Sequence, residues 1–349
     1  MPSFTGSIRS KTERAGQGSL WVLTSYFNPM GYANRRDNYV AFAEELRRKG
    51  VPLMLVRTEG LPESDKIDAL ATEVVAVPYD KTRNLMWMKE RLLNIGFQLL
   101  PPQCKFVVWA DCDIILSDPD WPKKIVTALT RPNAPKIIQP FSHAYLMGED
   151  ETVATFQRTE QYLNSFGFLY HFHRRTASGT PFFITYYPGL VWAASRETLA
   201  QIDPDRPFFD LGILGHGDIV MAIAFSHSPS RDGPFPATWP ERYWNPGWNP
   251  ALGKAAREYQ ARAAAAVDGK LDLLLGRVYH LFHGSGKNRL YTERGVLLKD
   301  FDPAKDLVAD DVDQLMEWTP AAIKKKKLPT QVQNYFKYRK EDGRRSTAK

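Results

Sequence analysis

Two aspartates, Asp111 and Asp113, come directly after the apolar run from Phe106 to Ala110. Such a run is typical of a buried strand, and ligands of open parallel sheets bind beyond the carboxyl ends of the strands. Two carboxylates at that position repel each other unless a cation or hydrogen-bond donors compensate. The pair therefore predicts a site for a divalent metal and a diphosphate. The alternative interpretation is the polar end of a strand.

The Asp-x-Asp spacing alone is weak evidence, because the sequence contains it four times. The first of the other three predicts a turn with a helix cap, the second brackets a proline, and the third opens the last predicted helix. These three are Asp118 and Asp120, Asp203 and Asp205, and Asp311 and Asp313. Only the pair Asp111 and Asp113 follows a predicted buried strand, so only this pair is expected to bind metal.

Two histidines, His280 and His283, precede a glycine turn and a basic, aromatic segment. Imidazole together with carboxylate suits Mn²⁺ or Zn²⁺, whereas Mg²⁺ and Ca²⁺ prefer oxygen ligands. Neighbouring positions along a strand alternate between its two faces. We therefore expect at most one of the two histidines to join the aspartates. The alternative is that both are ordinary loop residues.

Asp218 lies between a glycine turn and a predicted helix in "DLGILGHGDIVMA". A carboxylate exposed by small neighbours could accept a proton from an acceptor hydroxyl, which is the task of a general base. The alternative is a helix cap, a role that aspartate often fills.

Several basic side chains near these three segments could bind phosphate, because guanidinium and ammonium groups complement its charge. They are Arg35, Arg36, Lys89, Arg91, Lys287 and Arg289. Residues 238–250 contain Trp239, Trp244 and Trp248, which could form a stacking platform for a sugar or base, or could simply be packed. Aromatic residues in 168–187 are a second candidate for such a platform.

The order of predicted elements indicates an α/β protein. Strands are predicted at 20–28, in "VPLMLVRTE", in "KFVVWA" and in "GLVWAAS". Helices are predicted in "RRDNYVAFAEELRRKG", in "TRNLMWMKERLLNIGFQLLP", at Arg196 to Ile202 with Ser195 as cap, in "GHGDIVMAIAFS" and in "REYQARAAAAVDG". A strand, a helix and a second strand within about 40 residues form a right-handed crossover, which starts a parallel sheet.

Composition excludes a disordered chain and a membrane span. The 349 residues are 43% hydrophobic and 24% charged, as in ordinary globular proteins. No apolar run approaches the about 18 residues of a membrane helix, and residues 1–19 lack the apolar segment of a signal peptide. We therefore expect a cytoplasmic protein with a flexible leader at 1–19. Cys104 and Cys112 are too few for a disulfide framework and are interpreted as small apolar residues.

The net charge of +7 is concentrated at the C-terminus, where residues 324–349 hold 10 Lys or Arg and 2 Asp or Glu. Such a tail could bind DNA phosphates without reading sequence. An anionic membrane surface would attract it similarly. A solvated, disordered terminus is the third interpretation.

Taken in order, "WVLTSYFNP", "WMKERLLN", "VVWADCD", "GLVWAASRETL", "GHGD" and "HLFHGS" resemble nucleotide-sugar glycosyltransferases of the GT-A fold. The sequence is most similar to the family 2 type and to the group that includes the base J glucosyltransferases of DNA. The resemblance implies a Rossmann-like mixed sheet flanked by helices over residues 20–305. It divides there into a nucleotide-sugar-binding half, 20–140, and an acceptor-binding half, 141–305. A C-terminal helix and basic tail would occupy 306–349.

The resemblance also implies roles for individual residues. Asp113 is the main ligand of Mn²⁺ or Mg²⁺, and Asp111 contacts ribose or the metal. A late histidine completes the coordination, either His280 or His283, with His283 favoured because it lies beside the glycine turn. Asp218 is the base of an inverting reaction, although the second acidic residue usual at that position is replaced by Ile219. The residues implied in binding the nucleotide are Thr24, Arg35, Lys89, Arg91, Asp111 and Lys287.

The expected activity is therefore transfer of a hexose from a UDP-sugar to a hydroxyl group with inversion. The leading acceptor is a 5-hydroxymethylpyrimidine in DNA, which would have to leave the base stack. A saccharide, a lipid-linked glycan or a protein is the alternative acceptor. A further alternative is a module that binds nucleic acid or sugar without catalysis.

Overall fold

The computed structural model describes residues 6–10, 18–157, 162–172, 186–233, 248–290, 293–308 and 311–343. The strands are β1 Ser7–Ser10, β2 Leu20–Tyr26, β3 Leu53–Thr58, β4 Glu73–Val77, β5 Phe106–Ala110, β6 Ile114–Leu116, β7 Ile137–Gln139, β8 His143–Leu146, β9 Leu163–Ser165, β10 Tyr186–Tyr187, β11 Val191–Ser195, β12 Leu271–Leu273 and β13 Arg277–His280.

Helices cover both faces of this framework. They are α1 Ala33–Arg48, α2 Ser64–Asp68, α3 Lys89–Leu99, α4 Trp121–Thr130, α5 Phe166–Phe172, α6 Arg196–Ile202, α7 Gly217–Ser226, α8 Pro229–Asp232, α9 Pro250–Val267, α10 Glu293–Leu297, α11 Pro303–Asp306, α12 Pro320–Lys325 and α13 Lys327–Tyr338. Two 3₁₀ turns lie at Gly286–Arg289 and Leu298–Asp300.

The main sheet has eight strands in the order β1-β4-β3-β2-β5-β11-β7-β12. Strands β4, β3, β2 and β5 run parallel, whereas β11 pairs antiparallel with β5. All six residues of β3 are buried, as expected for a strand covered by helices on both faces. The predicted α/β class, with a mixed sheet flanked by helices, is confirmed.

Helical periodicity correctly predicted which face of α1 is buried. Tyr39, Phe42, Ala43 and Leu46 all pack inward. Helix α3 approaches the sheet closely at Gly96, where a Cβ atom would lie 2.4 Å from Cγ2 of Val56. At the start of α6, the Ser195 hydroxyl accepts a hydrogen bond from the Thr198 amide, so the predicted cap is confirmed.

A second sheet of five short strands has the order β10-β9-β8-β13-β6. Sequence analysis did not predict it, because strands of two to four residues are too short to show a periodic pattern. In this sheet β13 pairs antiparallel with β6 and parallel with β8. This pairing brings the segment with the two histidines next to β6, which immediately follows Asp113.

The N-terminal segment and the two halves of the chain differ from the predicted organisation. The expected flexible leader contributes β1, whose residue Ser7 pairs with Ala76 of β4 in an antiparallel register. The strands that follow residue 140 complete the same main sheet, so the two predicted halves share one sheet. The two cysteines are free and buried, in agreement with their interpretation as apolar residues.

The C-terminal region through Gly343 packs on the main core and is not a free tail. Leu328, Val332, Tyr335 and Phe336 of α13 are buried, and Trp318 joins the same hydrophobic cluster. Lys324 to Lys327 remain exposed, but Lys327 pairs with Asp300 at 2.7 Å. Residues 344–349 lie outside the described part of the chain. Among the described helices, none has the length and apolar character needed to cross a membrane.

Candidate active site

Strand pairing places Asp113 beside His280. Asp113 lies between the end of β5 and the start of β6, and β13 pairs with β6 so that His280 faces Ile114. The amide of Leu281 donates a hydrogen bond to the carbonyl of Asp113 at 2.8 Å, which extends the pairing by one step. The backbone pairing therefore places the carboxylate and the imidazole on neighbouring segments.

Asp113, His280 and His283 form one cluster, in which one potential ligand atom from each residue lies within 4.8 Å of the others. Oδ1 of Asp113 is 3.5 Å from Nε2 of His280, and Oδ2 is 3.9 Å from Nδ1 of His283. The expectation that at most one histidine joins Asp113 was wrong. Because β13 ends at His280, the alternation along a strand does not extend to His283, whose ring centroid lies 4.1 Å from that of His280.

The three side chains fit a divalent transition metal. Two imidazoles and one carboxylate suit Mn²⁺, Zn²⁺ or Fe²⁺, and they suit Mg²⁺ less well because Mg²⁺ prefers oxygen. The imidazole of His280 also meets the Tyr187 hydroxyl, which is 3.1 Å from Nδ1. A second partner of this kind orients a ligating histidine.

The charge around Asp113 keeps its carboxylate ionised. Burial opposes ionisation, yet His280 and the guanidinium groups of Arg35 and Arg289 hold the pKa of the Asp113 carboxyl below its usual value. An ionised carboxylate is the form that binds a metal.

Asp111 is not part of this cluster, although sequence analysis named it as a metal or ribose ligand. Its Oδ1 atom lies 2.6 Å from Nζ of Lys89, and the same Nζ is 2.9 Å from Oδ1 of Asp218. The Lys89 ammonium therefore bridges two of the predicted site residues. It comes from the first turn of α3, while Asp218 comes from the first turn of α7.

The Lys89 ammonium and the two carboxylates that it bridges are largely buried but remain partly exposed to solvent. The Lys89 side chain is 12% exposed, that of Asp111 is 23% exposed and that of Asp218 is 29% exposed. Burial opposes the charge on Lys89, but the two carboxylates raise its pKa well above the usual value. Burial, together with Asp218 and Asp113, raises the pKa of Asp111, and Lys89 only partly offsets this effect.

Sequence analysis missed Glu90, which supplies a second acidic group beside Asp218. Its side chain is buried against Gly217, where a Cβ atom would lie 2.5 Å from Oε1 of Glu90. Burial raises the pKa of Glu90 to about 8, with Lys89 opposing the shift and Asp218 adding to it. An acidic side chain of α3 thus lies near Asp218, whereas position 219 holds an isoleucine. No sequence signal marked it, because Glu90 looks like an ordinary helix residue.

Gly189 makes room for Asp218 in the same way. A Cβ atom at position 189 would lie 2.6 Å from Oδ2 of Asp218. The next residue, Leu190, has a φ angle of 76°, and its carbonyl accepts a hydrogen bond from the amide of Asp111. The turn before β11 thus contacts both aspartates.

Two arginines lie beside Asp113, the candidate metal ligand. Arg35, in the first turn of α1, donates from Nη1 to the carbonyl of Phe27 at 2.8 Å. Arg289 is buried, and its Nη2 atom donates to the carbonyl of His283. Both pair with Glu341, which sequence analysis did not single out.

Three other predicted nucleotide contacts have different surroundings. Thr24 is fully buried and donates to the Ala110 carbonyl at 2.7 Å, which ties β2 to β5. Arg91 is 1% exposed, and its Nε atom lies 3.0 Å from Oδ2 of Asp210. These positions favour structural roles. Lys287 is exposed in the 3₁₀ turn that follows His283, where a ligand could reach it.

Most of the predicted aromatic platform lies outside the described residues, including Trp239, Trp244 and residues 173–185. Trp248 is described, and its ring lies 5.6 Å from that of His216. His216 immediately precedes α7 in a left-handed conformation, two residues before Asp218. This contact places one predicted aromatic residue near the candidate base.

No model of a known protein family matches the chain, and no curated protein matches it. Solved structures similar to it include glucosyl-3-phosphoglycerate synthase from Mycobacterium tuberculosis in complex with Mn²⁺, UDP and phosphoglyceric acid. That structure is 17% identical, with a TM-score of 0.36, over 64% of this chain and 68% of the other. A mycobacterial protein is 14% identical, with a TM-score of 0.44, over 88% and 85% of the two chains.

A third similar structure is the catalytic domain of Drosophila β1,4-galactosyltransferase 7 in complex with xylobiose. It is 13% identical, with a TM-score of 0.29, over 58% of this chain and 59% of the other. Similarity at this level does not define the activity of the chain, which has to be inferred from its own residues.

Proposed function

We propose that the chain is a metal-dependent glycosyltransferase of the GT-A type that moves a hexose from a UDP-sugar to a hydroxyl group. The observation that carries this proposal is the convergence of Asp113, His280 and His283 just beyond the carboxyl end of β5. The residue pair Lys89 and Asp218 meets Asp111 at the same strand end. The candidate metal ligand Asp113 thus lies two residues along the chain from Asp111, which Lys89 links to the candidate base Asp218.

The donor binds on the metal side of this site. A divalent cation held by Asp113, His280 and His283 would neutralise charge on the departing diphosphate. Arg35 and Arg289 flank Asp113 and can each offer a guanidinium group to phosphate oxygens. Asp111 lies beside Lys89, where it can accept a hydrogen bond from ribose.

The acceptor reacts at Asp218, which is our candidate base. Lys89 donates to both carboxylate oxygens of Asp218, at 2.9 and 3.2 Å, and so stabilises the anion. Asp218 takes the proton of the acceptor hydroxyl while that oxygen forms a bond to the anomeric carbon. The bond from this carbon to the diphosphate oxygen breaks with its electrons on the phosphate, so the product has inverted configuration.

To test this proposal, the purified chain is incubated with Mn²⁺ and several UDP-sugars. UDP release and the mass of the products are then measured. The acceptor panel contains a glycan mixture, unmodified DNA and hydroxymethylated DNA. We expect sugar transfer that requires metal and is lost in the His283→Ala variant. Absence of UDP release and transfer with every sugar nucleotide tested would favour a non-catalytic binding module.

DNA is the acceptor polymer that the exposed lysines favour, and a hydroxymethylpyrimidine in it would supply the acceptor hydroxyl group. Lys324 to Lys326 form a run of basic side chains on the surface, and Lys337 and Lys340 are also exposed. Such charges bind phosphates without sequence preference. Arg339 cannot contribute, because it is 2% exposed.

Replacement of Lys324, Lys325 and Lys326 by glutamine should weaken binding to DNA and flatten its dependence on salt. Replacement of Lys254, an exposed lysine of α9, is the control. Unchanged DNA binding, or transfer to glycans alone, would rule out DNA and favour a saccharide, lipid-linked glycan or protein acceptor.

A further inference from the structure

Residues 336–343, which we call the C-terminal strap, lie across the start of α1. The Tyr32 hydroxyl donates to the carbonyl of Phe336 at 2.9 Å. The amide of Asn34 donates to Oδ1 of Asp342 at 2.9 Å, and its side chain donates to the carbonyl of Glu341 at 2.9 Å. The strap is therefore held by these three hydrogen bonds and not by apolar packing alone.

The strap also packs closely against the segment that carries the metal-binding histidines. Gly284, which follows His283, has a φ angle of +97°, and a Cβ atom there would lie 2.8 Å from the carbonyl oxygen of Arg339. At the other end of the strap, a Cβ atom on Gly343 would lie 2.7 Å from Cε1 of Phe282. Two glycines thus allow the backbone of the strap to lie against residues 282–284.

One strap residue, Glu341, forms ion pairs with an arginine at the start of α1 and with an arginine in the segment that follows the two histidines. Its Oε2 atom lies 3.0 Å from Nε of Arg35, and its Oε1 atom lies 3.7 Å from Nη1 of Arg289. Oε1 also accepts a hydrogen bond from Arg339 of the strap itself. Glu341 is 2% exposed, so these contacts are shielded from water.

The charges around Glu341 do not balance by themselves. Three guanidinium groups share this carboxylate, and buried cations without an anion are strongly destabilised. Arg289 depends on Glu341 in particular, because its Nε atom has no hydrogen-bond partner within the described part of the chain. The same guanidinium group also donates a hydrogen bond to the His283 carbonyl. Without Glu341, Arg35 and Arg289 would lose their shared anchor beside Asp113.

We propose that Glu341 is a positioning residue that fixes Arg35 and Arg289 next to the metal ligand Asp113, so that the C-terminal strap completes the donor site. This inference rests on the proposed glycosyltransferase function, because it assigns the two arginines to a diphosphate. The proposed donor site thus includes a part of the chain that the sequence alone predicted to be a basic tail.

The test compares Glu341→Gln with Asp342→Asn, which removes the neighbouring carboxylate but leaves an acceptor for the Asn34 amide. Calorimetry measures UDP binding in the presence of Mn²⁺, and Mn²⁺ binding alone. We expect Glu341→Gln to bind UDP about tenfold more weakly, which is the scale of losing one hydrogen bond to a charged group, because Arg35 and Arg289 lose their shared anchor. Mn²⁺ binding alone, and both affinities of Asp342→Asn, should remain near the wild-type values.

A purely structural role for Glu341 predicts a different pattern. It would lower the melting temperature without changing the UDP affinity of the folded fraction. The Glu341→Asp variant, which keeps the charge, should recover part of the UDP affinity and of the donor KM. Equal UDP affinity in wild type and a folded Glu341→Gln variant would overturn the inference, and tighter binding by the variant would overturn it too.

Hydrogen exchange of the wild-type chain provides a measurement that does not depend on a variant folding. The amides of residues 336–343 should exchange more slowly when Mn²⁺ and UDP are added. Unchanged exchange in the strap with bound UDP would overturn the inference and leave the proposed function intact. If the wild-type chain binds no UDP at all, the proposed function fails, and the inference fails with it.

Discussion

The Tyr187 hydroxyl lies 3.1 Å from Nδ1 of His280, while Nε2 of the same ring faces Asp113 at 3.5 Å. The two nitrogens of one imidazole thus have different partners, one on β10 and one after β5. If Nε2 binds a metal, the proton of the ring resides on Nδ1 and the Tyr187 oxygen accepts it. This arrangement would fix the orientation of the ring.

Replacement of Tyr187 by phenylalanine should weaken Mn²⁺ binding by about 10- to 100-fold, because the His280 ring loses its outer partner. Calorimetry or electron paramagnetic resonance of Mn²⁺ measures this affinity without a donor sugar. Tyr186→Phe, at the preceding position of β10, is the matched control and should bind Mn²⁺ as the wild type does. Equal affinity in both variants would show that Tyr187 does not orient His280.

Replacement of Asp113, His280 or His283 by alanine should reduce Mn²⁺ affinity by more than the about 10- to 100-fold expected for loss of an outer partner. The reason is that each residue supplies one of the three ligand atoms that meet in this cluster within the described part of the chain. Asp118→Asn tests the choice among the four Asp-x-Asp triplets. Asp118 pairs with Lys124 on the surface, so its replacement should leave Mn²⁺ binding unchanged. Loss of metal binding in Asp118→Asn, with full binding in Asp113→Ala, would contradict the assignment.

Replacement of Asp218 by asparagine should lower kcat by about 10²- to 10⁴-fold, which is the usual contribution of a general base. The KM for the donor should change little, because the metal ligands and arginines remain. Steady-state kinetics with Asp232→Asn, an exposed aspartate in the first turn of α8, provides the control. Analysis of the product by nuclear magnetic resonance should show inversion, and retention would remove the role assigned to Asp218.

Glu90 should make the free energy of unfolding depend on pH. Burial raises its pKa from the ordinary value of 4.5 to about 8, so in this interval the folded chain binds more protons than the unfolded chain. Stability contributed by protonated Glu90 is therefore present at low pH and decreases as the pH rises toward 8. Glu90→Gln should show a smaller decrease in this interval.

Denaturant unfolding at several pH values measures this difference. Glu44→Gln, which changes an exposed glutamate of α1, should retain the wild-type slope. A Glu90→Gln variant with the wild-type slope would show that Glu90 is ionised in the folded chain.

Local patterns in the sequence predicted four of the eight strands of the main sheet and part of the site. Strands β2, β3, β5 and β11 are long, apolar runs, and the buried face of α1 follows a helical period. The same patterns gave the position of Asp113 beyond a buried strand, and the confirmed cap Ser195. Each of these features depends on residues that are close along the chain.

Other features of the site required the tertiary structure. His283 lies beside His280 because β13 ends at His280. Glu90 lies near Asp218 because α3 and α7 begin side by side. Arg91 has the same residue type as a phosphate ligand, but its position in the core commits it to Asp210. The composition of residues 324–349 predicted a charged tail, whereas the spacing of Leu328, Val332 and Tyr335 gives α13 an apolar face that packs on the core.

The sequence by itself determined the α/β class, the buried strand that carries Asp111 and Asp113, and the residue types available for metal binding. These follow from hydrophobic periodicity, which acts over a few residues. Only the tertiary structure decided which carboxylate meets the histidines, which lysine bridges Asp111 and Asp218, and where Glu341 lies. Those contacts join residues that are far apart in the sequence, and they are set by strand pairing and packing that no local pattern encodes.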